Sequence, residues 1–327
     1  MEAGRYVVAR LFFEQVIQSG KKGESMMLGL EYFSFEELWS PMFFFLMAAV
    51  VILYFYAIGP WRERRFHEEP SVGTKQRVWF VGGITLYYFA QGGPLELLGH
   101  LTFTFHMTNM SLSYLIVPPM LLLGIPAFIW RYVFSARVWK PLRWLMNPML
   151  TLVLFNMMFS IYHVPVVHDY VMTHFMIHRI YYLAMLAASF MMWWQIYCPV
   201  KEWARLTDVK KMGYIFANGV LLTPACALII FAGEPLYATY NDPNVWAQAM
   251  GYCVSGDPAV LLSKFDGPTF FNFLPTIEDQ QLGGIVMKLV QEFMYGAILA
   301  YVFFHWFKRE HADSDDVPNP GPAGAGN

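Results

Sequence analysis

The sequence is poor in charge. Asp, Glu, Lys and Arg make up only 14% of the 327 residues, whereas soluble globular domains carry roughly 25%. The formal net charge is -2, so the chain has no overall basic field of the kind that attracts nucleic acid, and nucleic acid is excluded as a partner. Hydrophobic residues, in contrast, make up 57% of the chain. This composition excludes a water-soluble globular protein and predicts a membrane protein.

Several signatures of catalysis are missing as well. The chain has only three cysteines, without a CxxC or CxxCH motif, which argues against a disulfide framework, a paired-thiol site and a c-type haem. It also lacks a P-loop, a GxSxG motif and a dinucleotide fingerprint. A nucleotide-driven pump and a serine hydrolase therefore have no support.

Apolar runs bounded by charged residues, proline or glycine recur along the chain, at lengths near the roughly 20 residues that cross a bilayer. They predict an all-α polytopic membrane helix bundle with seven transmembrane helices, over 39–59, 77–98, 100–125, 147–163, 174–197, 213–232 and 282–306. Lys and Arg collect after the first, third, fifth and seventh spans, and such residues accumulate in cytoplasmic loops. The N-terminus is therefore predicted outside and the C-terminus in the cytoplasm.

Three regions follow from this topology. Residues 1–37 are predicted to form an outer-face segment that contains an interfacial amphipathic helix. Residues 38–307 form the seven-helix membrane domain, in which 233–281 make a long outer loop rich in proline and glycine turn signals. Residues 308–327 are acidic and then rich in proline and glycine, so they are predicted to be a disordered cytoplasmic tail.

Histidines crowd the predicted outer side. Six of the nine lie at outer helix ends or in outer loops, namely His100, His106, His163, His168, His174 and His178. His174 and His178 stand four residues apart, so a helix would project both imidazoles from one face, as in many metal sites. Met107 and Met110 share the helix end of His106, where one helical turn brings side chains together.

Imidazole and thioether donors in an oxidising outer compartment favour copper over zinc. The predicted copper ligands are His106, His163, His174 and His178, with Met107 and Met110 as weak donors. Further ligands, or groups that orient ligands, are His100, His168, Asp169 and Asp279. Each of these predictions has an alternative. The histidines could instead bond to headgroups, water or loop carbonyls, and Asp279 could instead cap a helix.

One pair of opposite charges lies inside the last predicted span. Lys288 and Glu292 are four residues apart in an otherwise apolar run. Charges at such depth usually face the bundle interior together with a partner. The pair is therefore interpreted either as a structural ion pair within one helix or as part of a polar pathway.

Four strings of the sequence resemble the CtaG family, whose members are membrane proteins required for assembly of caa3-type cytochrome c oxidase. The resemblance runs from about residue 38 to residue 306 and rests on HMTNMSLSYLIVPPMLLLGIP, NPMLTLVLFNMMFSIYHVP, HFMIHRIYYLAM and EDQQLGGIVM. The family pattern HMxxHM matches His106 at its first histidine, while Asn109 stands at the second. A family pair of histidines four apart corresponds to His178 and Tyr182, which adds Tyr182 to the candidates.

The resemblance implies a multi-pass protein of the bacterial plasma membrane that acts in respiratory-chain assembly, with membrane lipid and cytochrome c oxidase subunits as partners. It also suggests a metallochaperone that delivers copper, and the predicted His/Met cluster agrees with holding Cu(I) and passing it on by ligand exchange. Such a carrier needs no covalent turnover and is not an enzyme.

Two rival functions remain at this point. One is a membrane oxidoreductase that binds haem or quinone through facing histidines. The other is a metal-free scaffold for oxidase assembly. Gly92-Gly93 and Gly283-Gly284 permit close helix contacts within one chain or between copies, so a homo-oligomer stays open.

Overall fold

The computed structural model describes residues 29–139, 141–251, 254 and 258–315, and among these residues there are helices and connections but no strand. The all-α prediction is confirmed for this part of the chain. The α-helices are α1 (Phe35–Trp39), α2 (Pro41–Tyr56), α3 (Arg62–Arg65), α4 (Thr74–Gln91), α5 (Pro94–Leu101), α6 (Phe103–Ser111), α7 (Val117–Gly124), α8 (Ala127–Ser135), α9 (Pro148–Tyr162), α10 (Pro165–Met172), α11 (Phe175–Trp194), α12 (Asp208–Ile230), α13 (Pro243–Met250), α14 (Pro258–Phe265) and α15 (Thr276–Asp315).

Several of these helices are long and apolar enough to cross a membrane. Five stretches meet this condition in the described residues: Phe35–Arg65, Phe103–Gly124, Phe175–Trp194, Asp208–Ile230 and Thr276–His311. The pair α9 and α10, bent by 81°, makes a sixth if it counts as one broken span. The structure therefore supports a multi-pass membrane protein with five or six candidate spans. The seven spans and their orientation stay predictions.

The predicted second span is the one that is absent from the candidate spans of the structure. It coincides with α4, which is helical over 18 residues but includes Lys75 and Arg77 in its first turn. The helix is only 18 residues long, so these two charges lie inside the length that a membrane span needs, and they lower the mean hydropathy of the whole helix. Helix formation at α4 was thus predicted correctly, whereas its membrane crossing is not established.

The third predicted span contains a wider helical turn. A π-helical turn at Leu112–Ile116 separates α6 from α7. Pro118 has no N–H with which to bond the carbonyl of Tyr114 four residues earlier. That carbonyl instead accepts hydrogen bonds from the Ser189 hydroxyl at 2.5 Å and from the Trp193 indole at 3.1 Å. The carbonyl that the proline leaves without a partner in its own helix therefore connects the third predicted span to α11.

The central bundle consists of α6, α9, α11, α12 and α15, whose buried side chains form one continuous hydrophobic cluster. Helix α15 packs against α12 and, near its start, against α6. Gly283 permits the second contact, because a Cβ there would lie only 2.8 Å from Cδ1 of Phe103. Small residues commonly allow such close approach between membrane helices.

One end of this bundle is covered by the long connection before α15. At this end α6, α11 and α15 begin and α9 and α12 end, and we refer to it below as the histidine end. Helices α13 and α14 pack against α5 in a separate hydrophobic cluster around Trp246 and Leu101. Most of the predicted outer loop 233–281 is thus folded structure over the histidine end.

The last helix extends beyond the predicted membrane domain. Helix α15 continues to Asp315, eight residues past the predicted end of the membrane domain at 307. The rest of the predicted tail, 316–327, lies outside the described residues, as does the predicted interfacial helix within 1–37 up to residue 28.

Candidate functional site

Three histidines meet in the protein interior at the histidine end. His106 is the fourth residue of α6, His163 directly follows α9 and His168 is the fourth residue of α10. Their exposed fractions are 3%, 1% and 0%. The ring centroid of His106 lies 5.2 Å from that of His168 and 6.4 Å from that of His163. We call these three residues the His106 cluster.

The sharp bend between α9 and α10 brings two of these histidines together. Pro165 cannot continue α9 but suits the first position of α10, so the chain turns directly after His163. At the bend, Nδ1 of His163 donates a hydrogen bond to the carbonyl of Phe159 at 2.8 Å. A histidine held through Nδ1 in this way presents its Nε2 lone pair to a ligand.

The ring nitrogens of the cluster are short of partners. Nε2 of His106, of His163 and of His168 is buried without a hydrogen-bond partner, and so is Nδ1 of His168. Asp169 lies 3.5 Å from that last atom, which is too long for a strong hydrogen bond. Each buried unpaired group costs about 1–3 kcal/mol. Four of them in one place are therefore typical of a site that binds a ligand.

The ring separations suit two imidazoles on one ion. At the metal–nitrogen distance of about 2 Å that imidazole ligands take, two ring centroids are about 5–6 Å apart. Among the residues that the structure describes, however, no three His, Cys, Asp or Glu side chains are arranged to hold a metal as they stand. The donor set therefore fits a metal in kind, and the 5.2 Å separation of His106 and His168 lies in this range, whereas the 6.4 Å separation of His106 and His163 does not. Ligation by all three rings requires them to rotate.

Tyrosines enclose the cluster. Tyr237 lies 4.5 Å from His168 between ring centroids, and its hydroxyl donates to the carbonyl of His163 at 2.9 Å. The ring of Tyr240 is 5.8 Å from that of His168, and its hydroxyl donates to Gly99 at 2.6 Å. Burial raises the pKa of both tyrosines above the ordinary value, so they stay neutral. They shield the cluster from water without adding charge.

Asp169 holds this tyrosine segment in place. Its carboxylate accepts hydrogen bonds from the backbone N–H groups of Ala238 and Thr239, each at 3.0 Å, and from the Thr239 hydroxyl at 2.7 Å. The two anchored residues lie between Tyr237 and Tyr240. The sequence made Asp169 a candidate ligand or orienting group, and in the structure its main contacts fix the cover over His168.

Asp279, at the start of α15, caps the helix that carries His106. Its carboxylate accepts the backbone N–H of Phe103 at 2.7 Å and of Thr104 at 3.4 Å, in the first turn of α6. Thr102, at the capping position itself, makes no such bond through its side chain. Of the two interpretations of Asp279, the helix cap is therefore the one that the structure shows, although the capped helix is α6 and not α15.

Replacing Asp279 by asparagine should destabilise the protein by about 1–3 kcal/mol, because the amide group turns a donor toward a buried backbone N–H. The measurement is thermal or denaturant unfolding of the purified protein in detergent. Glu278→Gln is the matched control, since Glu278 lies in the same turn but is exposed. Equal destabilisation by both variants would contradict the capping role.

Two further histidines form a pair beside the cluster. The ring centroids of His100 and His178 are 5.7 Å apart, each residue is 7% exposed, and Nε2 of His178 has no partner. The ring of Tyr182 lies 4.0 Å from that of His178. Its hydroxyl is 3.0 Å from that of Tyr162, whose ring in turn stacks on His106. We call His100 and His178 the His100 pair.

Comparison with known proteins identifies the family. The model of the family described as cytochrome c oxidase caa3 assembly factor matches residues 52–309, well over half of the chain. The chain belongs to this family. The resemblance indicated by the four strings of the sequence is confirmed. No curated protein and no solved structure matches the chain.

Family membership establishes what this caa3 assembly factor serves. Such a factor associates with cytochrome c oxidase, which bears out that predicted partner, and its family is not a catalytic enzyme class. The matched residues include the His106 cluster and the His100 pair. The haem- or quinone-binding oxidoreductase is not favoured.

In the structure of the assembly factor, His174 and His178 have different neighbours. His174 is the N-cap of α11, and its carbonyl accepts the backbone N–H of His178 at 2.8 Å, but its side chain bonds backward along the chain. Its ring lies 4.2 Å from that of Tyr170, and Nδ1 donates to the Tyr170 carbonyl at 2.7 Å. His178, in contrast, turns toward His100. Metal binding by His174 and His178 together stays a prediction.

The two candidate methionines lie in the hydrophobic core. Met107 and Met110 are 0% and 1% exposed. Met107 packs against Gly283 of α15, and both belong to the large central cluster. Packing between helices is a common use of methionine. Their role as weak copper donors stays a prediction.

Lys288 and Glu292 form the ion pair that their spacing predicts. The ammonium and carboxylate are 2.6 Å apart, and Lys288 also donates to the Thr223 hydroxyl of α12 at 2.7 Å. Lys288 therefore joins α15 to α12, which matches the structural interpretation. Nothing in these contacts connects the pair to the histidines.

Proposed function

We propose that this caa3 assembly factor holds copper, as Cu(I), at the His106 cluster and passes it to subunits of cytochrome c oxidase. The observation that supports this most directly is the convergence of buried imidazoles whose Nε2 atoms have no hydrogen-bond partner. Copper is the cargo of this protein and not its resident cofactor. The factor works in the bacterial plasma membrane, with the histidine end on the outer side.

The chemistry of the cluster favours a monovalent copper ion. Neutral imidazole suits copper well. The surrounding tyrosines are neutral, the Asp169 carboxylate is the charged group nearest to His168 at 3.5 Å, and burying one positive charge in such a site costs less than burying two. Cu(I) also accepts two or three ligands, so it does not require the complete tetrahedral set that a structural zinc site uses.

The three histidines take different parts in this proposal. His163 is held by the Phe159 carbonyl and offers Nε2 in a fixed direction. His168 has no hydrogen-bond partner on either ring nitrogen and offers Nε2 to the same ion. His106 lies between them and completes the set. Met107 and Met110 remain available as weak donors from the same helix.

Release of copper requires the tyrosine segment to move. The cluster is almost completely buried, so an oxidase subunit cannot reach it while Tyr237 and Tyr240 stay in place. The hydrogen bonds from Asp169 to Ala238 and Thr239 hold that segment closed. Docking of the oxidase subunit at the histidine end opens the cover, and ligand exchange then transfers the ion.

Copper loading of the purified protein tests the proposal. The full chain in detergent is incubated anaerobically with Cu(I) buffered by a chelator, freed of excess metal, and analysed by mass spectrometry for metal and by optical spectroscopy. Retention of copper in stoichiometric amount against the chelator is the expected result. A Soret band in the protein as isolated would support a haem protein instead. Binding of neither would leave the metal-free scaffold.

A further inference from the structure

The His100 pair is not used by the His106 cluster, although it has the features of a ligand site. His178 has a buried Nε2 without a hydrogen-bond partner. His100 is held through Nδ1, which donates to the Glu96 carbonyl at 3.0 Å, so that its Nε2 is the remaining ligand atom. The two residues come from α5 and α11, which are far apart in sequence.

The geometry of the pair suits one ion between two rings. The ring centroids are 5.7 Å apart. Two imidazoles that bind one metal from nearly opposite sides, with nitrogen at about 2 Å, place their centroids about 6 Å apart. Cu(I) is the common biological ion that accepts such two-coordinate, nearly linear binding by neutral nitrogen donors.

The local charge does not oppose a monovalent cation. Arg179 directly follows His178, and its guanidinium alone would repel a metal ion. Glu96 lies 3.4 Å from that guanidinium and in its ionised form offsets the charge, while burial raises the pKa of Glu96 to about 7. The same residue holds His100 through its backbone carbonyl. Glu96 therefore both orients one ring and compensates the cation beside the other.

Two tyrosines lie between His178 of the pair and His106 of the cluster. Tyr182 lies against His178, and its hydroxyl is 3.0 Å from that of Tyr162. The ring of Tyr162 stacks on His106 at 5.7 Å and is 5.2 Å from His168. The pair is also the more exposed of the two groups, at 7% for each residue.

We infer that the His100 pair is a second Cu(I) site, two-coordinate, through which copper passes between the protein surface and the His106 cluster. This inference rests on the proposed function, because it assigns the same cargo to a different set of residues. Transfer between the two sites is an exchange of imidazole ligands and involves no change in the oxidation state of copper.

Two double variants separate the sites. His100→Leu with His178→Leu removes the pair, and His106→Leu with His168→Leu removes the cluster. The full-length protein and both variants are loaded with chelator-buffered Cu(I), the copper content is measured, and X-ray absorption gives the coordination number. We expect two copper ions per chain in the parent and one in each variant. The ion left in the cluster variant should be two-coordinate.

Each other outcome has a distinct meaning. One copper in the parent that only the cluster variant loses would overturn the second site and leave the proposed function standing. One copper that only the pair variant loses would overturn the His106 cluster as the copper site and leave the His100 pair as the binding site. No copper in the parent would reject the proposed function and, with it, the second site.

A milder variant guards against loss of folding. His178→Gln keeps a polar side chain of similar length but removes the imidazole. Size-exclusion chromatography and thermal unfolding show whether it folds like the parent. A folded His178→Gln protein that still binds two copper ions would overturn the inference.

Discussion

Replacing His106 by leucine is expected to abolish retention of copper by the His106 cluster, and with it the support of oxidase assembly. His106 is the member whose ring lies close to both of the others, at 5.2 and 6.4 Å. Leucine fills similar space without a donor atom. Loss of a group that merely orients a metal ligand lowers affinity about 10–100-fold, so loss of a ligand should cost at least that much.

Stability should change little in the same variant. Nε2 of His106 is buried without a partner, so an apolar side chain removes a group whose burial is unfavourable. The combination of an intact fold with lost function is what distinguishes a ligand from a packing residue. The measurements are thermal unfolding, copper content, and oxidase activity in membranes of cells that carry the variant.

His174→Leu is the matched control for this experiment. It makes the same chemical change at a ring that stacks on Tyr170, outside the His106 cluster. We expect normal copper retention and oxidase assembly. Full oxidase assembly by the His106→Leu protein would instead favour the metal-free scaffold.

Replacing Gly283 by alanine is expected to destabilise the protein by about 1–3 kcal/mol, as inserted methyl groups do in packed interiors. The new Cβ would lie 2.8 Å from the Phe103 ring and 3.1 Å from the Phe103 carbonyl oxygen. A side chain can rotate away, but this carbonyl belongs to the first turn of α6. Helix α6 would therefore have to move, and His106 would move with it.

Gly296→Ala, on the same helix, is the matched control. A Cβ at Gly296 meets nothing within 4 Å in the described structure. Alanine is a better helix former than glycine by about 1 kcal/mol, so this variant should be neutral or slightly stabilised. Unfolding in detergent and copper content measure the two effects. Equal stability of the two variants would contradict the close contact of α6 with α15.

The sequence predicted the helices better than it predicted the membrane crossings. Each of the seven apolar runs is mostly helical in the structure, because apolar residues leave the backbone of a membrane segment few alternatives, although the second run is interrupted at Gly92-Gly93. Crossing also depends on length, charge and bends. The charged start of α4 and the 81° bend after α9 reduce the candidate spans to five or six.

The candidate site was predicted in part. His106 and His163 do meet, and His168, which the sequence offered as an additional residue, joins them directly. Tyr237 and Tyr240 were missed because no local pattern marks them. The contact of Tyr237 with His163 spans 74 positions of the chain.

By itself, the sequence determined that this protein has the apolar helices of a multi-pass membrane protein, that six of its nine histidines belong to the same predicted side, and which family it resembles. These properties follow from composition and from local periodicity, which act over a few residues. The tertiary structure decided which imidazoles face one another, that His174 turns away, and that Asp169 and Asp279 hold backbone segments in place. Such contacts depend on helix bends and on packing between distant segments, and no short stretch of sequence contains that information.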